Sequence, residues 1–263
     1  MRSRRSAGAR RNGAAFTLLE VMLAMLIVTL VVSGLAIPLS TRVAMHRHDE
    51  TRRILDEARE ALLGFAVLQG RLPCPATTAS RGEEAFAPGG GPSNGNCSSF
   101  HDGLLPAATL GLASLDAEGF ARDAWDTPSN RIRYAVFGGG RSVGGVANPL
   151  TRANGMQQAT LAALGDAPGY LVICGAGVPA NAGGCGPATN QLTRRAALVL
   201  LSLGPTASQR PGAGPDESRN RDGNGVFVSH EAAATPGNGF GDHLTRVPVR
   251  VLTSRLVAAG RLP

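Results

Sequence analysis

Lysine is absent from this chain of 263 residues, so all 26 basic side chains are arginine. Aromatics are scarce, with one tryptophan, two tyrosines and eight phenylalanines. That scarcity, with no arginine cluster interleaved with aromatics, argues against a base-stacking nucleic-acid surface. The formal charge of +7 is no guide to partners either, because five arginines fall in the first 15 residues and the remaining 21 face 19 acids. A net charge near +2 gives no electrostatic case for a polyanion such as DNA. The four cysteines form no C-x-x-C, so compact zinc or thiol-redox chemistry lacks its usual spacing. No glycine loop of the phosphate-cradling kind is present.

What the chain does have is one long apolar run, Phe16 to Leu39, with a single ionisable residue, Glu20, near its start. About 20 such residues cross a bilayer as a helix. A carboxylate in hydrocarbon costs roughly 2.5 kcal/mol or more, so it persists where a positive group meets it. The preceding leader carries Arg2, Arg4, Arg5, Arg10 and Arg11 and no acid, which keeps it cytoplasmic and sends the bulk of the chain across the membrane. A cleaved secretory signal fits less well, since its apolar core is about 7–15 residues and leaves Glu20 out of place. An uncleaved signal anchor fits the length but leaves Glu20 unpaired. Val21 to Val32 is apolar on every face except Thr29, which disfavours a helix of a soluble domain.

Past the membrane run, Thr41 to Gln69 continues as helix. Charges alternate in sign from Arg42 to Glu60, while Ile54, Ala58, Ala61, Leu62, Phe65 and Leu68 recur at spacings of three and four. Gly34 and Pro38 predict a bend or local unwinding between them. Gly70 and Pro73 predict the helix end. Residues 76–99 are rich in Gly, Ser, Asn and Pro and read as a long surface loop. Strands are expected at Arg131–Phe137, Tyr170–Cys174, Ala196–Leu203 and Gly225–Ser229, with a C-terminal apolar segment from Val247 to Val257. The fold class is α+β: a long N-terminal membrane-spanning helix packed by its outer half on a small antiparallel sheet. The domains are a leader at 1–15, the membrane helix at 16–39, its amphipathic continuation at 40–70 and a globular domain at 71–263.

Gly13-Ala14-Ala15-Phe16-Thr17-Leu18-Leu19-Glu20 resembles the processing site of type IV prepilins and type II secretion pseudopilins. In that family a peptidase cuts before the phenylalanine and methylates the new amine. The resemblance implies cleavage between Ala15 and Phe16, with Phe16 the new N-terminus and Glu20 the buried glutamate of assembly. The chain departs from the family in having Ala15 where glycine usually precedes the cut. Asp123-x-Trp125 leading into Tyr134, and Ser202-Leu203-Gly204 before an acidic loop, are also similar to pseudopilin segments, although the family's later tryptophan is missing. The resemblance implies a pilin-like structural subunit, minor pilin or pseudopilin, with no enzymatic activity. Its partners would be a prepilin peptidase, other pilin or pseudopilin subunits in a helical filament, and an inner-membrane assembly platform. Its place would be the bacterial inner membrane, single-pass, with the C-terminal domain periplasmic, before assembly into a type IV pilus or type II secretion pseudopilus. The alternative is a signal-anchored periplasmic binding protein with an uncleaved N-terminus.

A periplasmic location favours disulfides. Four cysteines allow three connectivities, and the two local pairs, Cys74 with Cys97 and Cys174 with Cys185, close short loops. Asn220-Arg221-Asp222-Gly223-Asn224-Gly225, with Glu231 twelfth, approaches the oxygen spacing of an EF-hand. No cofactor is required, but the family's calcium loop makes Asp216, Asp222 and Asn224 the calcium candidates. The competing reading is a hairpin turn at Asn224-Gly225 with Val226 to Ser229 as the return strand. Gly91-Pro92-Ser93-Asn94-Gly95 matches G-x-S-x-G only formally, in a glycine-rich loop. His101-Asp102 and Asp242-His243 have no nucleophile beside them.

Overall fold

The structure is a computed structural model that describes residues 17–125, 130–177, 183–209, 212, 214–235 and 237–262, without the side chains of 32–41 and 234–235. Two compact units divide it, one ending at His46 and the other running from Arg47.

Helix α1 spans Leu18–Gln69. It begins at Thr17, whose hydroxyl accepts the Glu20 N–H at 3.3 Å and so caps the first turn. It ends where Gly70 turns to φ +66°, a conformation that needs glycine. The unwinding expected at Gly34 and Pro38 is not found, for α1 runs through both without interruption. One proline removes one backbone hydrogen bond, and the helix continues on either side of it. Among the described residues no helix is long and apolar enough to cross a membrane. Phe16, part of the apolar run, lies outside the described residues, as do the side chains of 32–41.

In chain order α1 is followed by β1 (Gly103–Leu104), β2 (Arg133–Val136), β3 (Ser142–Val143), β4 (Val146–Ala147), α2 (Gly155–Gln158), α3 (Leu161–Asp166) and β5 (Leu171–Cys174). Then come β6 (Gln191–Ser202), α4 (Pro215–Arg219), β7 (Val226–Val228), β8 (Ala233–Thr235), β9 (Asn238–Phe240), β10 (His243–Pro248) and α5 (Val249–Ala258). The main sheet has the order β1-β2-β6-β5-β7, with β10 also paired to β6. Strand β6 is its hub, and Ala196 to Ser202 are buried without alternation, as in a strand covered on both faces. Leu198 and Leu200 join the cluster that holds Leu55, Leu62, Val247 and Leu252, while Val199 joins Leu171, Ile173 and Phe227.

The sheet is not wholly antiparallel as expected, because β7 lies parallel to β5. Val226–Val228 therefore does not return from a hairpin at Asn224-Gly225, since the chain before that turn is helix α4 rather than a strand. The apolar segment Val247–Val257 divides at Pro248, which ends β10 and caps α5, and Val249, Leu252 and Leu256 then bury one helical face. The buried face of α1 in the second unit is also rotated from the expected one. Leu55, Ala58, Leu62, Leu63 and Ala66 are buried, whereas Leu68 is 71% exposed.

Cys74 is joined to Cys97 and Cys174 to Cys185, with Cα atoms 5.3 and 5.2 Å apart. Each contributes about 2–4 kcal/mol in the chain-entropy account. The first anchors the 76–99 loop, which is further held by a bidentate, largely buried Arg71–Glu84 pair at 2.6 and 2.7 Å. Glu84 also accepts the Cys74 N–H at 3.1 Å.

Candidate assembly surface and the carboxyl-rich loop

Within the first unit the described side chains from Leu18 to Val31 are all exposed, although nearly all are apolar. Leu18 and Leu19 are 77% and 78% open. Each large apolar side chain left in water forgoes about 1.5–3 kcal/mol of burial, so such a face calls for a partner or a lipid phase. Glu20 sits in the first turn of α1. There the helix dipole favours a carboxylate by about 0.3–1 kcal/mol. Thr17-x-x-Glu20 is also a capping-box pattern, which offers Glu20 a purely local role. Ala15 and Phe16 lie outside the described residues.

The second unit joins segments that are remote in sequence. Asp123 accepts from the Trp125 N–H at 2.9 Å, from Asn130 Nδ2 at 3.0 Å and from the Ser202 hydroxyl. Asn130 Nδ2 also donates to Gly204 O at 3.0 Å. The Asp-x-Trp turn and the Ser-Leu-Gly turn are thus one packed corner. Gly204 has φ +54°, and a Cβ there would lie 2.1 Å from Gly241 O, so no other residue fits. Burial raises the Asp123 pKa in spite of these bonds.

Beside this corner, Arg47 lies over the Trp125 ring at 5.5 Å, and His48 meets that ring edge-on at 5.1 Å. His48 Nδ1 lies 2.6 Å from His243 Nε2, so one imidazole donates and the other accepts. Burial lowers both pKa values: His48 further by Arg52, with Asp49 opposing, and His243 by His48 and Arg52 to about 4. Because the folded values lie below the unfolded one, this pair contributes stability that is present above about pH 6.5 and lost as the pH falls toward 4. At pH 4.5 the loss attributable to His243 is about 2 kcal/mol. Denaturant melts of His243→Gln are expected to show a shallower decline between pH 7.5 and 4.5 than the parent, and an equal decline would remove the pair from the account.

Of the calcium candidates, Asp222 and Asn224 are bonded to each other, while Asp216 is engaged with other partners. Asp216, fully buried, accepts from Gly177 N at 3.0 Å, Asn238 Nδ2 at 2.8 Å and His230 Nε2 at 3.2 Å. Asp222 pairs with Arg219 at 3.0 Å and accepts from Asn224 N and Nδ2 at 3.1 and 2.7 Å. Asn220, first in the EF-hand-like spacing, takes the place of a strand at the outer edge of β7. Its Oδ1 accepts the Val228 N–H at 2.8 Å and its Nδ2 donates to Val228 O at 3.1 Å. The Val228 backbone groups are thereby withheld from pairing with another chain. Among the described residues no group of three histidine, cysteine or acidic side chains could hold a metal ion.

Gly91 to Gly95 is a closed turn, with Gly95 N donating to Gly91 O at 2.8 Å, and has neither the strand nor the helix of a nucleophile elbow. Asp102 pairs with Arg133, leaving His101 apart from it. Asp242 and His243 diverge, one toward Asn220 and the other toward His48.

The chain carries the prokaryotic N-terminal methylation motif, matched over residues 10–36. That is a type IV prepilin-like or pseudopilin signal, and it points to a structural, non-enzymatic class of protein. No curated protein and no solved structure matches the chain.

Proposed function

We propose that this chain is a minor pilin or pseudopilin, a filament subunit of a type IV pilus or a type II secretion pseudopilus. The observation that carries the proposal is the methylation motif over residues 10–36, which coincides with the apolar face of α1 that the chain itself leaves uncovered. In this reading the helix at 16–39 crosses the inner membrane with its leader cytoplasmic and the second unit periplasmic. A prepilin peptidase cuts between Ala15 and Phe16, and the assembly platform draws the helix sideways into a filament of packed apolar helices. Packing against neighbouring helices then replaces the lipid around Leu18 to Val31 and keeps that face out of water. The Glu20 carboxylate meets the Phe16 amine of a neighbouring subunit, fixing register more than adding net stability. No cofactor is needed, because calcium at Asp222 would have to compete with the Arg219 pair already formed.

Intact mass and N-terminal sequence of the membrane-extracted chain, made with and without a prepilin peptidase, test the proposal. The expected product begins at methylated Phe16 only when the peptidase is present. A start at Met1 would instead favour a permanent signal anchor, for which the capping pattern Thr17-x-x-Glu20 already accounts for the glutamate. A start at Ile37 would mark an ordinary secreted protein.

A further inference from the structure

Arg141, Arg194 and Arg219 are far apart in sequence and line one open groove of the second unit, a hollow of about 610 Å³. Asp222, the acid on its wall, is already bonded to Arg219 at 3.0 Å. Arg141 and Arg194 are exposed, and among the described residues neither guanidinium has a hydrogen bond or ion pair. Arg141 is placed by the absence of a side chain opposite it: a Cβ on Gly169, which has φ +82°, would come within 2.5 Å of Arg141 Nη1. The guanidinium therefore lies against bare backbone while remaining open to the groove.

His101 faces the same hollow, half-buried and with no hydrogen bond among the described residues. Burial and then Arg141 lower its pKa, so it is neutral at pH 7 and adds a ring N–H donor without further like-charge repulsion. Among the described residues, two unpaired guanidinium forks and a neutral donor, with the acid Asp222 already bonded to Arg219, match the chemistry of oxyanions, whose oxygens accept several parallel bonds from arginine. The hollow falls within the size range of small-molecule sites.

We propose that this groove binds a multivalent oxyanion, of the phosphate-ester or polycarboxylate class, held by Arg141 and Arg194 with His101 as a further donor. The site is independent of filament assembly and of processing at Phe16. A bound anion favours the imidazolium, so occupancy raises the His101 pKa from its depressed value.

The full chain in uncharged detergent is titrated by calorimetry with sodium pyrophosphate and, separately, with citrate at fixed ionic strength, while the His101 ring is followed by NMR. At least one anion is expected to bind with Kd below about 1 mM. The Arg141→Ser/Arg194→Ser double variant is expected to weaken that binding at least about tenfold at unchanged Tm. Arg250→Ser, an exposed change on α5, should leave it unaltered. The tighter of the two titrants assigns the source as a phosphate ester or a carboxylate metabolite. No heat from either anion, equal binding by the double variant, equal weakening by Arg250→Ser, or an unmoved His101 titration would each overturn the site.

Discussion

Glu20→Gln is expected to remove the chain from filaments while leaving leader cleavage and the Tm of the second unit unchanged. Glutamine retains the capping-box geometry with Thr17, whose hydroxyl already accepts the backbone N–H of residue 20 at 3.3 Å. What it lacks is charge. If the carboxylate neutralises a neighbour's Phe16 amine inside a water-free helical core, its loss leaves that amine buried and alone. Breaking a buried pair from one side costs about 3–5 kcal/mol. That corresponds to roughly two to four orders of magnitude in the equilibrium for insertion. Glu20→Ala should fail to the same degree, and the agreement of the two variants separates the electrostatic role from the capping role. The measurement is the ratio of this subunit in sheared filaments to that in the membrane, by quantitative mass spectrometry. Normal incorporation of Glu20→Gln with poor incorporation of Glu20→Ala would assign the residue to helix capping alone. Normal incorporation of both would take Glu20 out of assembly.

How far the sequence could be read depends on whether the physics is local. The run from Leu18 to Val31, the helix stop at Gly70 and the strands beginning near Arg133 and Leu171 follow from periodicity and turn chemistry confined to a short stretch, whereas β6 begins at Gln191, well before the expected Ala196. The buried face of α1 is offset by about one residue from the spacing, with Leu55 and Ala66 buried where Ile54 and Phe65 fit the pattern, and Leu68 falls on the open side. The parallel pairing of β7 with β5 is decided by 51 intervening residues and the Cys174–Cys185 bridge, not by the strand's own pattern. Asn220 shows the difficulty most clearly. Its spacing to Asp222 and Asn224 suggested a cation loop, yet its amide is spent on both backbone groups of Val228 and on Asp242. The 2.6 Å contact of His48 with His243 crosses 195 residues of sequence, and nothing near either histidine announces it. The arginine groove was invisible for the same reason.

Asp242→Asn is expected to stabilise the protein, by about 2–3 kcal/mol at pH 8 and by progressively less as the solution is acidified. Asp242 is 5% exposed, and its Oδ1 is buried without a hydrogen bond among the described residues, while Oδ2 accepts from Asn220 Nδ2 at 2.8 Å. Burial raises its pKa to about 7; the Asn220 bond works against this and buried Glu217 adds to it. A carboxyl whose folded pKa exceeds the unfolded one is most favourable to the fold when protonated. Its contribution is complete below about pH 4 and is lost as the pH rises through 7. Asparagine is the isostere that never ionises, so the variant keeps the Asn220 bond through its own oxygen and escapes the penalty of a bare buried anion. The neutral Nδ2 left without an acceptor takes back about 1 kcal/mol, which is why the expected gain is smaller than the full titration energy. Paired urea melts at pH 8 and pH 5 check this: a gain equal at both values, or absent at pH 8, would mean that Asp242 does not titrate in the fold. The next residue carries the opposite sign, since His243 is neutral above about 4 and Asp242 is neutral below about 7. Between those values both groups are uncharged in the fold while the unfolded chain gains by ionising the carboxyl or protonating the imidazole, so with rising pH the Asp242 contribution falls as the His243 contribution grows, and replacing Asp242 removes only the falling one.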